Sequence, residues 1–279
     1  MGTKEIKISV IIPSYKPGTY VFECLDSLMN QSFDARSMEI VLVLNGCDDP
    51  YHSRIRAFMD SRAWAGHFIL IQTDTPGVSN ARNLGLDASN GTYVAFVDDD
   101  DFVSPTYLAE LYKVASNDTI AVSNELRFRE ADRTTQKDIY SRYFSKKAPS
   151  GRQTYRKMRK FFSAPWMKLI HRDIISSFRF DTRFSNGEDS LFFFLISCNM
   201  KYVDFTSPDA VYYRRIRPES LVSKEKDIRF VVRNRLKLSG EFVRVYSRKP
   251  LAYSPYFLLT RVLACFHSML ICVCSALRS

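Results

Sequence analysis

Gly91-Thr92-Tyr93-Val94-Ala95-Phe96-Val97-Asp98-Asp99-Asp100-Asp101-Phe102 is the most informative stretch of this 279-residue chain. Residues 93–97 form an unbroken apolar run, the pattern of a short strand buried on both faces. Four carboxylates follow without a spacer, and side by side they repel one another. A folded chain holds such a run where water or a divalent cation neutralises it. Ser104-Pro105 offer an N-cap and a first helical residue just beyond, so the acidic turn is pinned between a strand and a helix. A turn of this kind suits Mg2+ or Mn2+ held by one or two carboxylates together with a diphosphate. A solvated acidic loop is the plainer alternative.

Outward from this stretch, strands and helices alternate. Ile6-Lys7-Ile8-Ser9-Val10-Ile11-Ile12, stopped by Pro13, predicts a buried strand. Glu39-Ile40-Val41-Leu42-Val43-Leu44, ended by the turn pair Asn45-Gly46, predicts a second, and Phe68-Ile69-Leu70-Ile71 a third. Apolar residues at helical spacing predict helices over 19–30, 51–62 and 78–89. Strands alternating with helices of about ten residues make a parallel sheet with right-handed crossovers. The fold class is therefore α/β: a doubly wound, mostly parallel sheet flanked by helices. Ligands of such sheets sit at the carboxyl ends of the strands. Farther along, the spacing predicts helices over 188–198 and 227–246. The second is amphipathic, with Val231, Leu238 and Phe242 on one face and Arg229, Arg233, Lys237 and Arg244 on the other.

A hydrophobic fraction of 46% and a charged fraction of 25% exclude disordered and fibrous classes. The formal net charge of +10 hides a split: residues 1–140 hold 13 Lys/Arg against 20 Asp/Glu, and residues 141–279 hold 27 against 10. The basic half suits a polyanionic small molecule, an anionic membrane or nucleic acid. Six cysteines lack both a C-x-x-C pair and zinc spacing, and the N-terminus is charged rather than apolar. Both features point to free, mostly buried thiols in a reducing cytoplasm.

The acidic stretch resembles the D-x-D region of the inverting glycosyltransferases of family 2, which have the GT-A fold. Other pieces fit the same pattern in order. Val10-Ile11-Ile12-Pro13-Ser14-Tyr15 resembles the opening strand and nucleotide loop, and Asn80-Ala81-Arg82-Asn83-Leu84-Gly85 the A-R-N-x-G helix start. Trp166-Met167-Lys168-Leu169 resembles the W-x-K-L segment, Gly187-Glu188-Asp189 the E-D motif, and 213–220 the Y-R-x-R-P-x-S end of the catalytic domain. The match covers about 6–222.

What this resemblance implies can be stated residue by residue. Asp98 contacts the donor's ribose or the metal, and Asp100 ligates the Mn2+ or Mg2+ that bridges the diphosphate. Asp99 and Asp101 could share these roles, because the four-residue run leaves the register open. Asp189 is the general base, which in an inverting transfer takes the proton of the attacking hydroxyl, and Glu188 supports the acceptor hydroxyl or the loop. Pro13, Ser14, Tyr15, Asn45 and Arg82 line the donor pocket. Arg215 and Arg217 belong to a flexible loop that closes on the diphosphate. One departure concerns the nucleobase: Leu44 stands where the family places an aspartate, leaving the Asn45 amide as the base-reading group. Uridine is the first choice of base and thymidine the second. The implied partners are a nucleoside-diphosphate sugar and a saccharide acceptor that is lipid-linked, in the assembly of a cell-surface polysaccharide; no nucleic acid is expected.

The implied organisation is a GT-A domain over 1–222, with donor binding over about 6–125 and the acceptor side over 126–222, followed by a basic, apolar helical tail over 223–279. Residues 224–249 hold nine Lys/Arg against three acids. In the apolar stretch that follows, Ser254, Arg261, Ser268 and Ser275 recur every seven positions as a narrow polar stripe. This favours a helix lying in the interface of an anionic membrane, peripheral on its cytoplasmic face. A helix that closes the protein's own core is the alternative. At the level of function, the competing reading is a non-enzymatic basic module binding membrane or nucleic acid on a retained sugar-nucleotide fold.

Overall fold

The first predicted strand lies near the middle of the main sheet. In the computed structural model, which describes residues 5–216 and 228–276, β1 (Ile8–Ser14) is buried along its whole length. It is followed by α1 (Tyr20–Met29), β2 (Met38–Asn45), α2 (Tyr51–Asp60), β3 (His67–Thr73), α3 (Val78–Ala88) and β4 (Tyr93–Phe96). These four strands pair in parallel in the order β3-β2-β1-β4. Helix α3 lies hard against β1: a Cβ on Gly85 would sit 2.4 Å from Ile11 Cγ2. Only glycine allows that approach, and it sets the height of Arg82 one turn earlier.

The remaining strands are shorter. After β4 come β5 (Phe102–Val103), α4 (Tyr107–Val114), β6 (Thr119–Val122), β7 (Asn124–Arg129), β8 (Thr135–Gln136), α5 (Ile139–Lys147) and β9 (Gln153–Thr154). Then follow β10 (Lys168–His171), α6 (Arg172–Ile175), α7 (Glu188–Ile196), β11 (Tyr202–Phe205) and β12 (Val211–Ile216). The large sheet runs β3-β2-β1-β4-β10-β6-β11-β9, with β10 antiparallel to both of its neighbours. A second sheet, β5-β12-β7-β8, starts directly after the acidic turn. Sequence periodicity foresees the parallel half. It does not foresee β5, β8 or β9, because strands of two residues carry no pattern of their own and are set by their pairing partners.

Two long helices, α8 (Ile228–Arg248) and α9 (Pro255–Ala276), complete the chain. Leu238 and Phe242 of α8 are buried, and Phe242 meets Phe194 of α7 edge-on at 5.2 Å. Phe257 of α9 stacks on the same Phe194 at 5.8 Å. An interfacial helix would turn its polar stripe to water. Here Ser254 and Arg261 are buried against the domain instead, while Tyr256, Leu259, Leu263, Phe266 and Leu270 are exposed. Of the apolar window Pro255–Cys274, with mean hydropathy 2.0, only 22% is buried. One face of α9 closes on the domain and the opposite, apolar face does not. All six cysteines are free, but only Cys24 and Cys265 are fully buried. The rest are half-buried or exposed.

Candidate active site

The acidic turn sorts its four carboxylates by alternation. Asp99 and Asp101 are buried, whereas Asp98 and Asp100 are half-exposed. Asp99 Oδ2 accepts from Ser14 Oγ at 2.6 Å, fixing the turn to the end of β1. Asp101 accepts from Tyr212 Oη at 2.7 Å and from the Arg215 backbone N–H at 2.8 Å. Burial, with Asp100 and Asp98 adding repulsion, holds the Asp101 carboxyl well above the usual range. Tyr212 Oη also accepts from the Asp98 N–H at 3.1 Å, and its ring stacks on Trp166 at 5.4 Å. The W-x-K-L segment and the acidic turn are therefore one packed unit.

Asp98 and Asp100 are the carboxylates that could meet a cation. Among the described residues no group of three potential metal-ligating side chains converges. Mg2+ does not need one, since it is held by one or two carboxylates plus phosphate oxygens and water. The hard oxygen donors at the mouth of the turn fit that role.

Across the site, α7 begins at Gly187, whose φ of 95° is open to glycine without strain. A Cβ there would also lie 2.4 Å from Leu238 Cδ2, so α8 packs directly on the turn that launches α7. Glu188 and Asp189 fill the first turn of α7, where the helix dipole favours negative charge. Arg82, 4% exposed, joins the two halves of the site. Its Nη1 lies 2.7 Å from Asp189 Oδ1 and its Nη2 3.4 Å from Asp98 Oδ1. Its guanidinium also stands over the Phe180 ring at 5.3 Å. Burial raises the Asp189 carboxyl; Arg82 opposes that, Glu188 and Asp98 add to it, and the group is pushed up to about 7. Behind it, Lys168 is fully buried with Nζ on the carbonyls of Ala164 and Trp166 at 2.8 and 3.0 Å. Burial drives its ammonium well below the usual lysine range.

The other predicted residues divide by position. Pro13 and Ser14 are buried at the carboxyl end of β1, and Tyr15 beyond them is 53% exposed. Leu44 is fully buried in the core. Asn45 donates Nδ2–H to the Ser14 carbonyl at 2.7 Å and accepts from the Gly77 N–H at 2.9 Å. It thus ties β1 to the start of α3, with one amide hydrogen left over. Arg215 is not in a flexible loop: it lies in β12 with its side chain buried. Its guanidinium pairs with Glu23 and Glu130, and its Nε donates to the Asp100 carbonyl at 2.7 Å. Arg217 lies outside the described residues.

Sequence reasoning missed three contributors. Tyr212 sits one residue before the quoted motif, and nothing in its neighbours marks its hydroxyl as the brace of the acidic turn. Arg235 and Arg261 come from the presumed tail. They line a cavity of about 490 Å³ together with Glu188, Asp189 and Ser190. The only sequence signal was the oddity of Arg261 within an apolar run.

Comparisons with known proteins identify the family and the fold. The family model "Glycosyl transferase family 2" matches residues 9–178. The chain is 31% identical over 229 residues to glycosyltransferase GlyA of Streptococcus pneumoniae, covering 77% of this chain and 31% of that one. It is 26% identical over 214 residues to the minor teichoic acid biosynthesis protein GgaB of Bacillus subtilis, covering 76% and 23%. The chain thus spans about a quarter to a third of the length of these two relatives. Among solved structures, S. aureus TarS 1-349 in complex with UDP-GlcNAc superposes with a TM-score of 0.67 at 21% identity, covering 85% of this chain and 67% of that one. The Pyrobaculum calidifontis mannosyltransferase PcManGT, in complex with GDP-Man and Mn2+, gives 0.61 at 16% identity, covering 99% and 76%. With the family model matching well over half of the chain and the sheet order of the GT-A fold in place, this chain belongs to glycosyltransferase family 2.

Proposed function

We propose that the chain transfers a sugar, with inversion and with the help of a divalent metal, from a nucleoside-diphosphate sugar to a hydroxyl of a saccharide acceptor. The observation that carries this reading is the Arg82 bridge. One guanidinium contacts both the acidic turn at Asp98 and the candidate base Asp189, so donor and acceptor chemistry share one electrostatic unit.

In this mechanism the acceptor hydroxyl lies against Asp189, whose raised pKa matches a base working near neutral pH. As the hydroxyl oxygen bonds to the anomeric carbon, its proton passes to Asp189. The bond from that carbon to the phosphate oxygen breaks with its electron pair, and the nucleoside diphosphate leaves. Mn2+ or Mg2+ held by Asp100 and Asp98, when bound, supplies positive charge to the diphosphate oxygens. Ser14 and Tyr15 at the end of β1 form one wall of the nucleotide site. Arg82 keeps Asp189 oriented, and Lys168 and Trp166 stiffen the wall behind it.

UDP is the favoured donor nucleotide. The acceptor side is assigned to a lipid-linked saccharide in cell-surface polymer assembly, in the cytoplasm at the inner face of the membrane. The exposed apolar face of α9, with Leu259, Leu263, Phe266 and Leu270, supports that location. The exposed Arg229, Arg233 and Lys237 of the neighbouring α8 support it too, since each basic group near an anionic surface adds about 1 kcal/mol.

Calorimetric titration of UDP-GlcNAc and related donors with and without Mn2+ tests the reading. Asp100→Ala is expected to remove the metal-dependent part of binding in a folded protein. Asp189→Asn is expected to keep binding and lose transfer by at least about 10²-fold. Unchanged affinity without metal, or near-normal turnover in Asp189→Asn, would refute the respective assignment.

A further inference from the structure

We propose that the cavity between α7, α8 and α9 is a phosphate subsite for the acceptor, with Arg261 and Arg235 as its anion-binding groups. The proposal rests on the reaction above for its link to Asp189.

Arg261 is 2% exposed, on a helix whose sequence holds no other Asp, Glu, Lys or Arg. Its Nη2 donates to the Phe162 carbonyl at 2.6 Å, and its Nη1 to Ser163 Oγ at 3.3 Å and Ser190 Oγ at 3.5 Å. Among the described residues its buried Nε has no hydrogen-bond partner, and none of its partners is an anion. A guanidinium buried without a counter-charge carries a desolvation penalty of several kcal/mol, and burial lowers its pKa to about 9. Arg235, half-buried, donates from Nη2 to Asn186 Oδ1 at 2.7 Å, and among the described residues it forms no ion pair.

Both arginines line the same cavity of about 490 Å³, as do Ser163, Ser190, Glu188 and Asp189. A neutral sugar hydroxyl meeting Asp189 needs no cation there, still less two. A tetrahedral phosphate in this cavity would accept from both guanidinium forks and from the two serine hydroxyls. Glu188 and Asp189 line the same cavity; their charge repels the phosphate, so the uncharged hydroxyl of the acceptor is the group that meets the base. The phosphate can belong to a lipid carrier or to the saccharide itself. The exposed apolar face of α9 lies on the other side of the same helix.

The test uses the full chain in EDTA, which removes metal-assisted diphosphate binding, with glycerol phosphate, dodecyl phosphate and dodecyl maltoside as probes in calorimetry and 31P NMR. Glycerol phosphate is expected to bind, and Arg235→Gln to weaken it at least about tenfold, the loss of one charge-assisted hydrogen bond. Arg261→Gln should weaken it further, while Asp100→Ala should leave it unchanged. Tighter binding of dodecyl phosphate than of glycerol phosphate assigns a lipid carrier, and equal binding assigns a phosphate in the saccharide. Absent binding of both phosphates, insensitivity to Arg235→Gln in a folded variant, or equal binding of dodecyl maltoside overturns the proposal. Nucleotide-sugar binding with Mn2+ is read separately, so failure of the reaction and failure of the subsite give different results.

Discussion

Replacing Arg82 by Gln should move the titration of Asp189 upward by about 1–3 pH units, the range for losing an opposite charge in contact with a carboxylate. The structural basis is the 2.7 Å pair between Arg82 Nη1 and Asp189 Oδ1, on a guanidinium only 4% exposed. Once the guanidinium is gone, Glu188 and Asp98 remain as negative neighbours, and both already push the Asp189 carboxyl up. In the proposed mechanism transfer needs Asp189 ionised, so activity should rise with pH through the pKa of that group. At pH 7.5 a shift from about 7 to about 8 leaves roughly a third of the ionised base, and a three-unit shift leaves less than about one part in a hundred. The acid limb of the pH–rate profile should therefore move to higher pH by the same amount as the carboxyl resonance of Asp189 in a 13C NMR titration, assigned by its loss in Asp189→Asn. Arg82→Lys, which keeps the charge, should stay within about half a unit of wild type. A limb that stays put or moves down in a folded Arg82→Gln variant would show that Arg82 does not tune the base.

The same raised pKa makes a stability prediction for Asp189→Asn. The folded state holds a proton on this carboxyl between its ordinary pKa of 3.8 and about 7, where the unfolded chain has lost it. Stability from this group therefore falls as pH rises through that window, and the burden is complete above about pH 7. Asn removes it, so the variant should be more stable than wild type by up to about 4 kcal/mol at pH 8 and by less than about 1 kcal/mol at pH 4; a lower melting temperature at pH 8 would contradict the sign. Asp101→Ala should cost about 2–4 kcal/mol in urea unfolding, since it strands the Tyr212 hydroxyl and the Arg215 N–H in a buried site; a loss below 0.5 kcal/mol would remove Asp101 from its bracing role.

The parallel half of the sheet was legible because its strands are long enough to show an apolar run and their helices show a 3.6 period. Asp98, Arg82 and Asp189 were legible only as types in ordered motifs. That the three form one chain of contacts depends on Gly85 and Gly187, which let α3 and α8 approach closely, and no local spacing encodes such distances. Arg215 was placed in a flexible loop by the family resemblance alone, whereas it lies in β12. Its pairing with Glu23 links residues 192 positions apart and has no sequence signature. Ser254 and Arg261 of the polar stripe face the domain and not the solvent, since periodicity identifies two sides of a helix without saying which side meets protein.

The strongest functional signal lies where local rules of stability fail together. Asp101 and Asp189 are raised, and Lys168 and Arg261 are lowered, in each case chiefly by burial. Each shift marks a charged form that the fold disfavours, and a stable core would replace such groups with apolar ones of similar volume. Coulombic influence links Asp189 to Arg82, Asp98 and Lys168, and Lys168 to Arg261. A run of unfavourable burials that passes from the donor turn, through the base, to a helix at the far end of the chain is hard to explain as packing. It is what a site looks like when its missing charges are to be supplied by substrates: an electropositive centre at the acidic turn and a negative group beside Arg261. On this view α9 acts on the acceptor side of the catalytic site, with its outward face left to the surface where that acceptor resides.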